Sequence, residues 1–477
     1  MLILLFDEFL PFNTIFGLLR QKKMCYDAAN EQLPRLRGGR TKERDSMQKF
    51  APDFLVGAST AAHQVEGNNT NSDCWALEHI PHTTYAEPSG DAVDHYHRYE
   101  EDIRLMADAG LNAYRFSIEW ARVEPREGQF EEREIEHYRS VIRCCKDHGL
   151  EPMVTLHHFS SPAWLIAKGG WEAKSVVDDF VRYCRYVIER LGGELRFVCT
   201  INEANIRLQI ADIMKRYMMQ AQAAQKAAQN AEGAVQMGMN MKALLEQQQL
   251  SASEGAAAFG LADPSAVHVF QSPCTEAGDE IICRAHIAAR DAIKKLCPHL
   301  QVGLTLSLHD FQAQEGGAET AKKEWEKEFS HYLPAIQHDD FLGVQNYTRS
   351  LIGPAGLLPI PQGAELTQAG YEYYPEGLEH VVRKVAADYK GPIYITENGI
   401  ATDDDTRRTA FIRTALEGVQ RCIADGLPVK GYFHWSLLDN FEWQKGYAMR
   451  FGLVAVNRST QARTPKPSLT DLGSWRG

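Results

Sequence analysis

The stretch GPIYITENG (391–399) is a short apolar run that ends in a polar tip. Because apolar residues predominate up to Ile395, the run is typical of a strand that is buried on both faces. Glu397 would then lie at the end of that strand, and a charged group is seldom buried without a partner. A lone glutamate in such a place is more often a helix cap or an ion-pair partner, so the rest of the chain has to decide its role.

Seven further runs have the same character, and segments with helical spacing separate them. Apolar residues step by three and four along 135–145, 177–188 and 411–423, as they do on the buried face of a helix. Eight strand–helix repeats predict a single-domain α/β fold, a (β/α)8 TIM barrel with extended βα loops around its pocket. A doubly wound sheet is disfavoured, because the first run is not followed by a glycine-rich phosphate turn. The seven runs are FLVGAST (54–60), NAYRFSIEW (112–120), EPMVTLHHF (151–159), RFVCTINE (196–203), QVGLTLSL (301–308), DFLGVQNY (340–347) and VKGYFHWSLL (429–438).

Composition narrows the class of protein. The 477 residues carry 51 basic and 63 acidic side chains, a net charge of −12, which disfavours a nucleic-acid partner. The sequence has no run of about 18 uninterrupted apolar residues, so no membrane span is expected. The 10 cysteines lack C-x-x-C spacing, which favours reduced thiols in a cytoplasmic protein over a disulfide framework.

Two segments depart from the strand–helix rhythm. Residues 1–46 lead through a polar, Gly- and Arg-rich stretch, and we expect a disordered extension before a domain at 47–477. An upstream misreading of the start codon is the hypothesis for this extension, and recovery of Met1 from native protein would refute it. Residues 206–256 are rich in Ala, Gln and Met; a surface helix with a variable segment is expected there, with a lid as the functional alternative.

Polar residues gather at the ends of the expected strands, where barrel enzymes of this architecture place their chemistry. Glu203 and Glu397 stand at two different strand ends, among amides, histidines, an arginine and tryptophans. Amides and carboxylates hydrogen-bond hydroxyl groups, and indole faces pack on the C–H faces of a sugar. Two carboxylates also suit glycosidic bond cleavage, in which one protonates the leaving oxygen and the other attacks the anomeric carbon or activates water.

Other hydrolytic chemistries are less well supported. His157 and His158 are adjacent on a strand and would point to opposite faces, which is poor geometry for binding one metal ion. The sequence contains neither an H-E-x-x-H pattern nor a G-x-S-x-G elbow. We therefore expect no catalytic metal and no cofactor, and we interpret His157 as structural and leave His63 unassigned.

Taken in order, these strand ends resemble glycoside hydrolase family 1, the retaining β-glycosidases, from about Phe50 to about Ser468. TINE at 200–203 and ITENG at 395–399 are highly specific when they lie on the fourth and seventh strands, and the length of WSLLDNFEW at 435–443 makes coincidence very improbable. The other matching segments are QVEG (64–67), YRFSIEW (114–120), TLHHF (155–159), GGW (169–171), QNY (345–347), RFGLV (450–454) and RTPKPS (463–468).

The resemblance implies a role for each residue. Glu397 resembles the nucleophile and Glu203 the general acid and base, with carboxylates about 5–5.5 Å apart in a retaining enzyme. The pKa of Glu203 is expected to be raised, while Arg115 and Tyr347, beside the nucleophile, keep Glu397 ionised. Asn202 resembles the residue that binds the sugar 2-hydroxyl. Residues that resemble the pocket for the non-reducing sugar are Gln64, His158, Trp435, Glu442 and Trp443.

Two departures and several alternatives stay open. The family usually has proline after the acid, whereas this chain has Ala204, and the loop within 206–256 does not align. Glu442 would repel a phosphate, so a small-molecule β-glycoside or oligosaccharide with unphosphorylated β-glucose is the expected substrate. A broader β-galactosidase or β-fucosidase is the alternative within the family, and a non-catalytic sugar-binding barrel is the alternative from another class. Oligomeric state is unknown from sequence.

Overall fold

The computed structural model describes residues 49–216 and 241–477. Eight parallel strands close into a barrel in the order β1-β8-β7-β6-β5-β4-β3-β2. Each of the eight runs predicted from sequence forms one of these strands, so the predicted (β/α)8 fold is confirmed. The strands are β1 (Leu55–Ser59), β2 (Ala113–Ser117), β3 (Glu151–His157), β4 (Phe197–Ile201), β5 (Gln301–Ser307), β6 (Phe341–Gln345), β7 (Ile393–Asn398) and β8 (Val429–Trp435).

Each strand is followed by a helix that packs outside the barrel, and the connection after β4 contains further helical segments at 206–216 and Met241–Ala258. The three segments with helical spacing, 135–145, 177–188 and 411–423, lie in the second, third and seventh of these helices, and most of their apolar residues are buried. The helices are α1 (His95–Asp108), α2 (Glu132–Asp147), α3 (Val176–Leu191), α4 (Glu276–Leu296), α5 (Ala318–Glu328), α6 (Gly377–Asp388), α7 (Asp405–Ala424) and α8 (Pro467–Gly473).

Apolar side chains fill two layers. The larger cluster lies between the strands and the surrounding helices. The smaller cluster is contributed by the barrel strands themselves and includes Met153, Phe197, Phe341, Tyr394 and Phe433. Such a packed interior makes the barrel a solid support, and the polar strand ends lie beyond it at one face.

The loops between the barrel strands and helices carry elements that the sequence did not predict. Short strands at Asp310–Ala313, Arg349–Gly353 and Gly356–Leu357 form one small sheet, and Val454–Val456 pairs with Arg463–Pro465 in another. Short helices occupy Ala62–Val65, Asp73–Glu78, Trp120–Val123, Ala163–Ala167 and Leu333–Ile336. Single 3-10 turns occupy Gly170–Glu172, Gly192–Glu194, Pro264–Ala266, Ser330–Tyr332 and Trp443–Lys445.

The structure describes part of the Ala-, Gln- and Met-rich segment 206–256 and none of residues 1–46. The expected extension at 1–46 lies outside the described residues, and its disorder stays a prediction. In the Ala-, Gln- and Met-rich segment, residues 206–216 and Met241–Ala258 are helical, and the part between them is outside the description. No described helix is long and apolar enough to cross a membrane. The nine described cysteines are all unpaired.

Candidate active site

All ten site residues expected from sequence are buried, and each lies on a barrel strand or in the loop that follows its C-terminal end. Parallel strands of a closed barrel end at the same face, so side chains that are far apart in sequence meet there. Direct hydrogen bonds join five of the ten residues into one network, and a separate hydrogen bond joins two of the others. The five are His158, Asn202, Arg115, Glu397 and Tyr347, and the pair is Gln64 and Glu442.

Glu397 is held at both of its carboxylate oxygens. Arg115 Nη1 donates to Oε1 at 2.7 Å, and the Tyr347 hydroxyl donates to Oε2 at 2.7 Å. All three side chains are buried. Burial raises the pKa of Glu397, and the charge of Arg115 and the hydroxyl of Tyr347 act against that rise. These two donors stabilise the ionised form and fix the direction of its oxygens.

Glu203 has the opposite surroundings. Both of its oxygens are buried, and within the described part of the chain neither has a hydrogen-bond partner. Burial raises the pKa of Glu203 to about 8, and the neighbouring charge of Glu397 adds to the rise. Arg115 and Tyr347 donate hydrogen bonds to Glu397 and not to Glu203. When the two carboxyl groups share a single proton, that proton is therefore held by Glu203. The surroundings of the pair therefore favour the proton on Glu203 and the negative charge on Glu397.

The turn that carries Glu203 accounts for the alanine that follows it. Glu203 has a φ of 45°, in the left-handed region that few side chains adopt without support. Thr305 on β5 provides that support, since its hydroxyl accepts from the Glu203 N–H at 3.1 Å and its carbonyl accepts from the Ala204 N–H at 3.1 Å. Proline has no N–H and would lose the second bond. Ala204 thus preserves a backbone contact that the usual residue of the family lacks.

Asn202 lies at the centre of the polar network. Its Oδ1 accepts from Arg115 Nη2 at 2.5 Å, Gln345 Nε2 at 2.8 Å and the Thr305 hydroxyl at 3.2 Å. Three donors on one oxygen assign the amide orientation, so Nδ2 faces His158 Nε2 at 3.2 Å and donates to it. The sequence analysis gave no role to Gln345, although it lies in the QNY segment (345–347), and it did not single out Thr305. Their signal was a polar side chain inside an otherwise apolar strand, which is unusual unless the residue faces the barrel interior.

A second group of side chains forms the rest of the pocket wall. Gln64 Nε2 donates to Glu442 Oε2 at 3.1 Å and to the carbonyl of Phe441 at 2.8 Å. Burial raises the pKa of Glu442 to about 8. The Trp435 ring is stacked on that of His158, with 5.6 Å between centroids. Glu442 is therefore a buried carboxyl group with one oxygen bound by Gln64 and the other, Oε1, without a partner in the described chain.

Many polar atoms of this pocket have no protein partner, although buried polar groups are nearly always satisfied. They include both donors and acceptors, which a ligand with several hydroxyl groups would match. Among the ten site residues, these atoms are Gln64 Oε1, Arg115 Nε, His158 Nδ1, both Glu203 oxygens, Trp435 Nε1, Glu442 Oε1 and Trp443 Nε1.

The two remaining histidines lie behind the pocket wall. His157 Nε2 is 3.0 Å from the Ser161 hydroxyl, and the His157 ring packs against Trp171 with 4.6 Å between centroids. His63 Nε2 is 2.7 Å from Glu78 Oε1, and the His63 ring stacks on Trp443 at 5.6 Å. Both histidines thus have protein partners, and His63 supports the indole of Trp443 from behind.

The barrel, its paired carboxylates and the surrounding hydroxyl-binding groups define a (β/α)8 glycoside hydrolase. A family model agrees: the model for glycosyl hydrolase family 1 matches residues 46–238 and 329–472. The chain belongs to glycosyl hydrolase family 1, as its motifs predicted.

Individual relatives resemble the chain along most of its length. It is 30% identical to "Beta-glucosidase A" of Thermotoga maritima over 457 residues, which cover 90% of this chain and 97% of the relative. It is 31% identical to a "Beta-glucosidase" of Agrobacterium sp. over 462 residues, covering 90% and 94%. Among solved structures, the β-glycosidase BGL167 has a TM-score of 0.79 and 45% identity, and the match covers 90% of this chain and 97% of that one.

Proposed function

We propose that the protein is a retaining β-glucosidase that hydrolyses terminal non-reducing β-D-glucosyl residues through a covalent glycosyl–enzyme intermediate. The observation that carries this proposal is the unequal environment of the two carboxyl groups. Glu397 has an arginine and a tyrosine on its oxygens, whereas Glu203 is buried without a partner in the described structure. One group is thereby suited to attack and the other to donate a proton.

In the first step, Glu397 attacks the anomeric carbon while Glu203 gives its proton to the glycosidic oxygen. The bond to the leaving group breaks, and a glycosyl ester on Glu397 forms. In the second step, Glu203, now ionised, takes a proton from water, which attacks the same carbon and releases Glu397. Asn202 is proposed to bind the 2-hydroxyl, where a hydrogen bond strengthens as positive charge develops on the sugar ring.

The pocket supports an unphosphorylated sugar. Glu442 offers a buried carboxylate oxygen that has no partner in the described chain, and Gln64 Oε1 adds a second such acceptor. Acceptors of this kind fit sugar hydroxyls. Glu442 offers a phosphate no positive charge: its carboxyl group repels a phosphate when ionised and gives it a single hydrogen bond when protonated. The named activity of the relatives agrees with glucose as the glycone, and galactose or fucose is the alternative within the same mechanism.

A panel of aryl β-glycosides tests the activity and the glycone together. The glucoside should be cleaved with the highest kcat/KM, and the galactoside and fucoside more slowly. An aryl β-glucoside carrying a 6-phosphate should be the poorest substrate. A wild-type protein that is inactive on the whole panel would instead support the non-catalytic sugar-binding alternative.

Azide rescue tests the two roles separately. Glu397→Gly should abolish turnover, and azide should restore it by entering the space of the lost carboxylate, giving the α-glycosyl azide. In Glu203→Gly, azide should attack the glycosyl ester instead and give the β-product. Glu119→Gln is the matched control, because this buried carboxylate is occupied by the Ser160 hydroxyl and the N–H of Ala121. A β-azide from Glu397→Gly would overturn the assignment of the nucleophile.

We also propose a cytoplasmic location. The support is that every described cysteine is unpaired, as expected where thiols are kept reduced. Cell fractionation with a cytoplasmic marker enzyme is the test, and recovery of the activity outside the cytoplasmic fraction would contradict the proposal.

A further inference from the structure

Three side chains of types that commonly bind metal ions lie together on α4 and the 330–332 turn, and none of them is among the proposed catalytic residues. Asp279 and Cys283 are four residues apart on α4 and therefore share one face of the helix. His331 comes from the 3-10 turn Ser330–Tyr332, and its Nε2 is 2.6 Å from Asp279 Oδ2. One ligand atom from each residue lies within 4.8 Å of the other two. Two separate parts of the chain thus present a carboxylate, a thiol and an imidazole to one point.

We propose that Asp279, Cys283 and His331 bind a Zn²⁺ ion, with water in the fourth position. Mixed sulfur, nitrogen and oxygen ligands suit Zn²⁺, which takes them in a tetrahedral arrangement at about 2.0–2.3 Å. Mg²⁺ and Ca²⁺ prefer all-oxygen sites and would gain nothing from the thiol. The three ligand atoms lie within 4.8 Å of one another, and the ligands of a tetrahedral ion at these bond lengths are about 3.3–3.8 Å apart.

The surroundings fix the carboxylate and leave the site accessible. The Tyr332 hydroxyl donates to Asp279 Oδ1, so the other oxygen, Oδ2, is the one turned toward His331. An outer partner of this kind orients a metal ligand and holds it in place. The side chain of Asp279 is only 3% exposed and that of His331 is 46% exposed, so an ion can enter from the side of the histidine.

Metal binding must displace protons. Burial raises the pKa of the Cys283 thiol to about 12, and the charges of Asp279 and Glu280 add to the rise. The hydrogen bond with Asp279 likewise raises the pKa of His331. As the Zn–S and Zn–N bonds form, the thiol proton passes to solvent, and His331 binds through Nε2 as a neutral imidazole with its one proton on Nδ1. An imidazolium at this position releases its Nε2 proton to solvent. Zn²⁺ therefore replaces the His331–Asp279 hydrogen bond with a link between α4 and the 330–332 turn.

Cobalt titration of the full-length protein tests the site, because Co²⁺ bound to a thiolate has a charge-transfer band in the near ultraviolet. We expect one equivalent of Co²⁺ to produce this band and Zn²⁺ to remove it by competition. Cys283→Ser should lose the band, and His331→Gln should weaken binding at least about tenfold. His331 is half exposed, so its variant should stay folded even if Cys283→Ser does not.

Cys144→Ser is the matched control. The Cys144 thiol lies 3.7 Å from His148 Nδ1 on α2, which makes it a second cysteine–histidine pair but not a member of the three-ligand cluster. This variant should bind Co²⁺ as the wild type does. In the same samples, Zn²⁺ should raise the midpoint of thermal unfolding of the wild type and of Cys144→Ser, but much less that of His331→Gln. A missing band in the wild type, or a full band in Cys283→Ser, would overturn the proposal.

Discussion

Replacing Tyr347 by phenylalanine isolates one of the two groups that keep Glu397 ionised. The tyrosine hydroxyl donates to Glu397 Oε2 at 2.7 Å, and both groups are buried. A hydrogen bond to a charged group contributes about 1.5–3 kcal/mol. At 1.36 kcal/mol for each pKa unit, its loss should raise the pKa of Glu397 by roughly 1–2 units. The ring itself is retained, so packing changes little.

The sign of the effect on activity follows from the proposed mechanism. Glu397 must be ionised to attack, so activity is lost as pH falls through its pKa, and a higher pKa moves this acid limb to higher pH. The assay is kcat/KM for an aryl β-glucoside across the stable pH range. We expect the acid limb of Tyr347→Phe to lie about 1–2 units higher than that of wild type, with kcat/KM reduced roughly tenfold to hundredfold.

The matched control is Tyr371→Phe. The Tyr371 ring lies 6.4 Å from that of Tyr347 and is equally buried, but the two oxygens of Glu397 are bound by Arg115 and Tyr347 instead. Its acid limb should match that of wild type. An acid limb that stays in place in Tyr347→Phe, whatever happens to the rate, would refute the reasoning that this hydroxyl stabilises the ionised nucleophile.

Three further predictions concern the acid, its turn and the stability of the barrel. Glu203→Gln should remove the basic limb of the pH profile and lower kcat/KM by about 10²–10⁴-fold for a poor leaving group, but much less for dinitrophenol; equal losses would contradict a role as acid. Ala204→Pro should lower kcat/KM roughly fivefold to tenfold by removing one backbone hydrogen bond, and unchanged kinetics would show that the turn tolerates proline. Arg463→Met should reduce the free energy of urea unfolding by about 3–5 kcal/mol, because the buried Asp102 loses two hydrogen bonds from the arginine; a change below about 1 kcal/mol would contradict this.

The barrel itself could be predicted because its signal is repeated. Each strand, such as β7 with Ile393, Tyr394 and Ile395, is apolar enough to be buried on both faces, and each is followed by a helical stripe. Eight such units leave few arrangements other than a closed parallel barrel. The small sheets in the loops were missed because Gly356–Leu357 and Val454–Val456 are too short to show a period, and their pairing depends on distant partners.

The candidate site was predictable at the level of residue types and motifs, but not at the level of contacts. The motifs indicated Glu203, Glu397 and Asn202. Of the supporting residues, Gln345 lies in the QNY segment but was given no role, and Thr305 lies inside an apolar strand with no motif of its own. Their importance appears only when the barrel closes and brings β4, β5 and β6 side by side. The hydrogen bond made by Ala204 likewise could not be read from sequence, because it depends on the backbone conformation at Glu203.

Trapping of the glycosyl–enzyme intermediate tests the central claim most directly. The fluorine of a 2-deoxy-2-fluoro-β-glucoside slows both steps, and an activated leaving group speeds only the first, so the ester forms faster than it is hydrolysed and accumulates. Intact-protein mass should then rise by one fluoroglucosyl group, and peptide mapping should place that group on Glu397. A label on any other carboxylate, or no label in an enzyme that cleaves aryl β-glucosides, would contradict the proposed mechanism.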